Sequence, residues 1–347
     1  MTSVLKWTFV GVLGIVMILG GFLAVETIRD YKPPAIIELK KEGNAKKFSP
    51  DRLTIFTWNI GYAGLGKDMD FFADGGTTSI PPKDKFNEYL EGILKVVSKY
   101  SSVSDVMYFQ EVDRDSDRSY HVDEYEKLKM VLKDFASVFA YNYVVDFVPV
   151  PLTHPMGKVS GGMATFSKYD FHDPVRIALP GQYPWPENLF YLDRCMIVIR
   201  IPAPDGKEWV LINTHNSAFD NGDQREKQLS FIKKFITDEY KKGNYVIIGG
   251  DWNLMLGGNF KYTELPEEFY KPIPKDWAPK GWKWVIDEGV PTNRSVRAPY
   301  KKGRTFVTII DGFLVSPNVK VLSVRGINLE FKYSDHNPVI AVFEMKK

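Results

Sequence analysis

The sequence is short of the residue types that usually announce a site. One cysteine, Cys195, stands in 347 residues, so the chain forms no internal disulfide and cannot build a thiolate metal cluster. Net charge is almost absent as well. Lys and Arg total 45 against 43 Asp and Glu, a formal balance of +2, and no global field points to a nucleic-acid or acidic-lipid partner. Neither an internal repeat nor a linker is visible beyond residue 50. What is present is ordinary globular usage, 44% hydrophobic and 25% charged, which excludes a disordered, collagenous or disulfide-framework chain. Aromatic residues are plentiful, at 14%. The length suits a single α/β domain of ~250 to 300 residues with a full core.

The first notable stretch is WTFVGVLGIVMILGGFLAV, Trp7 through Val25, which carries no charge and is bounded by Lys6 and by Glu26, Arg29 and Asp30. It is about long enough to cross a bilayer, where a helix needs ~20 apolar residues. Gly11, Gly14, Gly20 and Gly21 suit a membrane span better than a buried soluble helix. Residues 1–28 are therefore read as an uncleaved membrane anchor. A cleaved signal peptide is the alternative, with Leu23-Ala24-Val25 as its nearest approach to a cleavage site. No cysteine follows the span, which excludes lipoprotein attachment. Flanking charge does not fix orientation: Lys6 stands against Arg29, Lys32, Lys40 and Lys41, although long domains translocate largely regardless of that count. Residues 29–50, with Pro33-Pro34 and several lysines, read as a polar tether.

From Leu53 onward, strand-like runs dominate. They cover 53–60, 105–112, 141–149, 162–168, 196–201, 208–215, 244–252, 308–316, 320–327 and 339–345. Strict alternation mixes with continuous apolar stretches, the pattern of sheets buried on both faces. Helical spacing appears over 83–100, 124–135 and 223–242, where Leu229, Ile232 and Ile236 mark one face of the last. Many strands with few helices predict a sheet-on-sheet core with helices outside, a single domain over 51–347.

Polar residues recur at the carboxyl ends of these strands. Asn59 closes the first, Glu111 the second and His215 the sixth; Asp251 and Asn253 end the seventh, and Asp335-His336 precedes the last. Carboxylate and amide oxygens without cysteine match a hard cation such as Mg²⁺ or Mn²⁺. Imidazoles beside them suit proton transfer near neutral pH. A metal and a base are the minimal equipment for attack of water on phosphorus.

In sequence order TWNIG (57–61), FQEVD (109–113), SGGMATFSK (160–168), INTHN (212–216), GGDWN (249–253), IDGFLVS (310–316) and YSDHNPV (333–339) resemble the motifs of the endonuclease/exonuclease/phosphatase superfamily. That group has the fold of DNase I and includes abasic endonucleases, neutral sphingomyelinases and inositol polyphosphate 5-phosphatases. The resemblance spans about 53–345. It implies an α+β, four-layer αββα sandwich behind the N-terminal transmembrane helix, and a Mg²⁺- or Mn²⁺-dependent phosphoester hydrolase, most readily a phosphodiesterase. Carried over, Glu111 is the principal metal ligand with Asn59 beside it and Asp335 on the metal side. Asp251 and Asn253 position water and phosphate. His336, oriented by Asp311, is the general base or phosphate-stabilising imidazole, and His215 is the second imidazole.

The implied substrate is a phosphoester of nucleic acid, lipid headgroup or inositol phosphate. The expected state is a monomer, anchored with its catalytic domain outside the cytoplasm or, alternatively, secreted. A tethered nuclease, a sphingomyelinase-like lipid phosphodiesterase and an inactive binding protein are the competing readings. Asn216 replaces the family's usual apolar residue after Thr-His, and 61–76 is a Gly- and Asp-rich insertion. Asp68, Asp70 and Asp74 within it lack the spacing of an EF-hand. Arg118, Tyr120, Arg294 and Arg304, with Arg297, are candidate substrate contacts, since an arginine fork binds phosphate bidentately. Tyr183, Trp185, Phe190 and Tyr191, and Trp277, Trp282 and Trp284, are read either as stacking or interfacial residues or as loop packing; His154 and His172 are read as structural.

Overall fold

The computed structural model describes residues 3–220 and 223–346. The chain begins with α1 (Ser3–Arg29), β1 (Ile36–Glu38), β2 (Arg52–Asn59), α2 (Lys83–Ser101), β3 (Val106–Asp113), α3 (Glu124–Val131) and β4 (Ala136–Val148). Next come β5 (Gly157–Ser167), β6 (His172–Ala178), β7 (Cys195–Pro202), β8 (Glu208–His215), α4 (Gln224–Lys241) and β9 (Tyr245–Asp251). The last strands are β10 (Lys283–Val285), β11 (Asn293–Arg294), β12 (Val307–Thr308), β13 (Asp311–Val315), β14 (Val319–Gly326) and β15 (Val339–Met345).

Among the described residues two main sheets result, one of seven strands in the order β1-β6-β7-β8-β9-β13-β10 and one of six, β14-β15-β2-β3-β5-β4, beside a two-stranded β11-β12 pair. The alternation along β2 shows why they stack. Leu53 and Ile55 face the other sheet, joining Ile197, Ile199, Leu211, Ile247 and Phe313 in the central core. Phe56 and Trp58 face the opposite way, into a cluster with Phe86, Ile93 and Val97 of α2 and Leu128 of α3. On the far side, Leu229, Ile232 and Ile236 of α4 bury against Val210, Ile212, Val246 and Ile248. The layers are helix, sheet, sheet, helix, so both sheets are covered on both faces. This is the four-layer α+β sandwich expected from the sequence.

One expectation is corrected. Residues 29–50 are not a free tether. Ile36, Ile37 and Glu38 add an edge strand along β6, Glu42 exchanges backbone bonds of 2.9 and 2.8 Å with Ser137, and Lys46 donates to Lys168 at 2.7 Å. Lys129 holds Glu42 at 2.6 Å. The Ile36-Ile37 pair, flanked by lysines and prolines, offers too short an apolar run to stand out, but an open sheet edge supplies its partner. Strands β6 and β10 were also absent from the sequence reading. Pro174 inside β6 argues against a strand except near an edge.

A buried ion-pair cluster fastens α4 to β7. Arg200 donates to Glu239 at 3.0 and 2.8 Å, and Lys242 and Asn244 add bonds of 2.8 and 2.9 Å. Burial disfavours the Glu239 carboxylate, yet these donors together hold its pKa down to about 2, from 4.5. A carboxyl depressed in the folded state contributes stability that is full above 4.5 and is lost as pH falls through about 2. Glu239→Gln is expected to cost about 1–3 kcal/mol at neutral pH. Urea titrations of both proteins across that acid window should show their midpoints converging, and a constant gap would contradict the assignment.

Candidate active site

Strand register assembles one side of the site. His215 ends β8 directly across from Asp251 at the end of β9, and Asp251 lies opposite Asp311 at the start of β13. Residues paired across neighbouring strands share a face, so the three stand abreast at one end of the seven-stranded sheet. The six-stranded sheet contributes Asn59 from the end of β2 and Glu111 from β3. Pairing of β3 with β5 is irregular between Phe109 and Val112, and Glu111 within that irregularity has φ 52°. A left-handed backbone costs a non-glycine residue about 1 kcal/mol or more; a bulge there re-aims the side chain. Asn253, just past β9, has φ 49°.

The third element is the segment before β15. Ser334 Oγ donates to the Asn59 carbonyl at 2.8 Å, and Trp58 Nε1 donates to the His336 carbonyl at 2.8 Å. These bonds bring Asp335 and His336 to the gap between the two sheet ends. His336 Nδ1 lies 2.8 Å from Asp311 Oδ2. Its Nε2 lies 3.8 Å from Asp251 and 3.9 Å from Asp335. Asn59 Nδ2 donates at 3.0 Å to both Glu111 and Asp251, and Asn59 Oδ1 accepts from Gly61 N–H at 3.0 Å. The amide therefore bridges the two acids and turns its oxygen toward the loop.

The two imidazoles differ in charge. Burial, then the positive charges of Arg194 and His336, hold His215 well below its ordinary pKa, so it is neutral. Burial also opposes charge on His336, but Asp311, Asp335 and Asp251 together raise it well above 6.5. The Asn293 side chain sits 3.1 Å from His336 Nε2 and accepts from the Tyr270 hydroxyl at 2.8 Å.

Glu111, His215 and Asp251 each offer a ligand atom within 4.8 Å of the others, as do Asp251, Asp311 and His336. In the second group Asp311 already holds His336 Nδ1, which leaves the first group, whose carboxylates Glu111 and Asp251, with Asp335 nearby, could hold a cation. Its oxygen-rich donors fit a hard divalent ion. The Glu111 side chain is 24% exposed while that of Asp251 is 1% exposed, so Glu111 is the acid open to the cleft. Burial raises the pKa of Asp251, and nearby Asp311 adds to the rise.

These groups lie in a cleft of about 680 Å³. Glu111, Arg118, His215, Asp251, Asn253, Asp335 and His336 line it, as do Asn293 and Tyr270. The remaining candidates fall differently. Arg118 reaches the wall, but its guanidinium is paired with Asp113 through two 2.9 Å bonds and stacks 3.8 Å over Tyr62. Tyr120 is turned away, donating its hydroxyl to the Pro81 carbonyl. Arg294 is buried and donates to the carbonyls of Leu65, Gly66 and Met69. It pins the 61–76 insertion instead of facing the cleft. Arg304 is paired with Glu264 at 3.6 Å, and Arg297 lies 3.7 Å from Glu267.

Asn216, the departure from the family pattern, accepts from Thr214 at 2.7 Å and from Asn253 Nδ2, through its carbonyl, at 2.9 Å. It is a support for Asn253. The insertion itself is fastened, since Asp70 accepts from the backbone of Thr77 and Thr78, and its Phe71, Phe72 and Asp74 wall the cleft. Burial and the neighbouring acids push Asp74 up to about 8. Tyr183, Phe190 and Tyr191 also line the cleft, whereas Trp277, Trp282 and Trp284 pack beneath it with the α4 core. Sequence reasoning missed Asn293 and Tyr270, described above, and Arg194. Arg194 lies in the cleft wall, and its Nη1 has no hydrogen-bond partner among the described residues. Its only sequence signal is a cation immediately before an apolar strand.

The comparisons with known proteins agree with this geometry. The sequence pattern of the Endonuclease/Exonuclease/phosphatase family matches residues 56–336. No curated protein sequence matches the chain. Among solved structures, an endonuclease/exonuclease/phosphatase from Beutenbergia cavernae superposes with a TM-score of 0.56 at 18% identity, covering 85% of this chain and 72% of that one. ANGEL2, a 2′,3′-cyclic phosphatase, gives 0.54 at 18% identity, covering 90% and 99%. The human Nocturnin catalytic domain gives 0.53 at 17%, again covering 90% and 99%. At such identities the likeness carries the fold alone. Taken with the matched pattern, it places the chain in the Endonuclease/Exonuclease/phosphatase family of phosphoester-hydrolysing enzymes.

Proposed function

We propose that the chain is a divalent-metal-dependent phosphodiesterase that uses Mg²⁺ or Mn²⁺, anchored by α1 with its catalytic domain outside the cytoplasm. The observation that carries the chemistry is the convergence of Glu111, Asp251 and Asp335 with one neutral and one charged imidazole in a single cleft. The anchor rests on α1 being long and apolar enough to cross a membrane.

Glu111, with Asp251 and Asp335 around it, would hold the metal, which when bound offsets negative charge on the phosphoryl oxygens, while the Asn59 NH2 positions Glu111 and Asp251. Asp251, fixed by Asn59 and by the Asn253 backbone N–H at 2.8 Å, takes the proton of the attacking water. Cationic His336 donates through Nε2 to a phosphoryl oxygen, and Asp311 keeps it charged and oriented. His215 donates as a neutral ring. Arg194, in the cleft wall with its Nη1 buried and unpartnered among the described residues, adds positive charge beside the phosphate.

Hydrolysis of bis(p-nitrophenyl) phosphate by the purified full chain is the direct test. Turnover is expected to require Mg²⁺ or Mn²⁺, to exceed that of the monoester, and to drop at least about tenfold when Arg194→Ala removes the positive charge from the cleft wall. Glu111→Ala should abolish the response to metal. Turnover that survives chelation, or that Glu111→Ala leaves unchanged, would remove this reading.

A further inference from the structure

The apolar half of the cleft runs into the end of α1. Phe190, which lines the cleft, stacks on Phe22 of α1 at 6.0 Å and 6° between planes. Phe147 meets the same ring edge-on at 6.3 Å, and Trp185 Nε1 donates to Thr27 at 3.0 Å. The apolar run Trp7–Val25 is about 28 Å long as a helix, close to the ~30 Å of a bilayer core. None of its most apolar window is buried in the domain. Phe22 therefore marks the level at which a spanning helix leaves the bilayer, and Phe147 and Phe190 stand at that level.

Beside them is a rim that the domain leaves uncovered. Leu152 is 86% exposed, Trp185 60%, Val150 42% and Phe147 41%. Scattered single apolar residues need no partner, but a contiguous group beside a membrane helix marks an interaction surface. Val150 also lines the cleft, together with Phe71, Phe72, Val148 and Met156. The apolar wall is thus continuous from the rim to the catalytic acids.

We infer that the Phe147–Leu152 and Trp185 rim seats on the bilayer interface, and that the cleft takes an amphiphilic phosphodiester from that surface, phosphate toward Glu111 and apolar chain along the Phe71–Phe72–Val148–Phe190 wall. This rests on the phosphodiesterase reading above. The occupant is a lipid surface, because the rim continues the membrane helix through Phe22.

The test uses the full chain in phosphatidylcholine nanodiscs. Cys195 is buried, so a bimane probe attached at Leu152→Cys labels one site. Brominated phosphatidylcholine should quench it at least twofold, while a probe at Lys241→Cys, at the opposite end of the strands from the site, should be unaffected. In parallel, p-nitrophenyl ethyl and p-nitrophenyl decyl phosphates are compared. Water oxygen bonds to phosphorus, the bond to p-nitrophenolate breaks, and the proton released from water balances the products as alkyl phosphate and p-nitrophenol. The decyl ester should show a kcat/KM at least tenfold higher, through burial of its chain. Leu152→Asp should leave ethyl ester turnover unchanged and abolish nanodisc-dependent gain on the decyl ester. An unquenched probe, or equal turnover of the two esters, in a protein that hydrolyses the ethyl ester overturns the inference. Failure on the ethyl ester itself overturns the phosphodiesterase reading instead.

Discussion

Asp311→Asn is expected to lower kcat for diester hydrolysis by about 10³- to 10⁴-fold, the scale seen when the carboxylate behind a catalytic imidazole becomes an amide. The 2.8 Å contact to His336 Nδ1 is preserved in shape but loses its charge. Of the three carboxylates that raise His336, Asp311 contributes most, and without it burial is left to favour the neutral ring. The ion-binding acids are untouched, so the metal concentration giving half-maximal rate should stay within about threefold, and KM likewise, if the loss falls on the transition state. His336→Ala should cost a similar factor. The double variant should be no worse than the more damaging single one, because residues acting as a unit are non-additive. Near-wild-type kcat in Asp311→Asn, measured with saturating diester and metal, would separate the pair from catalysis.

Arg118→Ala is expected to destabilise the fold by about 3–5 kcal/mol, the usual cost of stripping one partner from a buried ion pair. The remaining Asp113 side chain is fully buried and would keep an uncompensated charge. Glu124 accepts from the Asp113 backbone at 2.8 Å, and burial together with Asp113 raises its own pKa, so the cluster has no spare cation to substitute. The guanidinium also supports Tyr62, and its loss loosens the insertion at the cleft. Removing both charges, as Asp113→Asn with Arg118→Met, should recover most of the lost stability. Urea unfolding followed by tryptophan fluorescence gives both values; equal losses in the single and double variants would show that the pair's charge is not the cause.

Much of the candidate site was legible because polar residues interrupt apolar strands. His215 and Asp251 follow runs that are otherwise buried, and register alone then places them side by side. Arg118 and Arg294 were legible only as charges. Whether a guanidinium faces phosphate or backbone is decided by contacts distant in sequence, as in the Arg294 bonds to Leu65, Gly66 and Met69. Asn293 and Tyr270 are neutral residues outside any long periodic element, and nothing local connects them to His336. Arg194 obeys the mirror of the strand-end rule, standing at the entry to a strand instead of its exit. For the tryptophans of 277–284 the packing alternative holds: the segment roofs the α4 core, where Trp252, Trp277 and Trp284 meet ring to ring.

The strapping of residues 36–46 onto the sandwich changes what the anchor does. A free tether lets its cargo roam over a distance that grows as about 5–6 Å × √n, and the domain would then sample bulk solution. Here Phe22 and Thr27 hold the end of α1 to the domain, and β1 fixes the chain again at Ile36. In a membrane-anchored chain this is a mount with a set height and tilt. For the anchored enzyme and bilayer substrate proposed above, encounter becomes a search in two dimensions, governed by surface density and lateral diffusion, and lengthening the stretch between Arg29 and Ile36 would tip the cleft without extending its range.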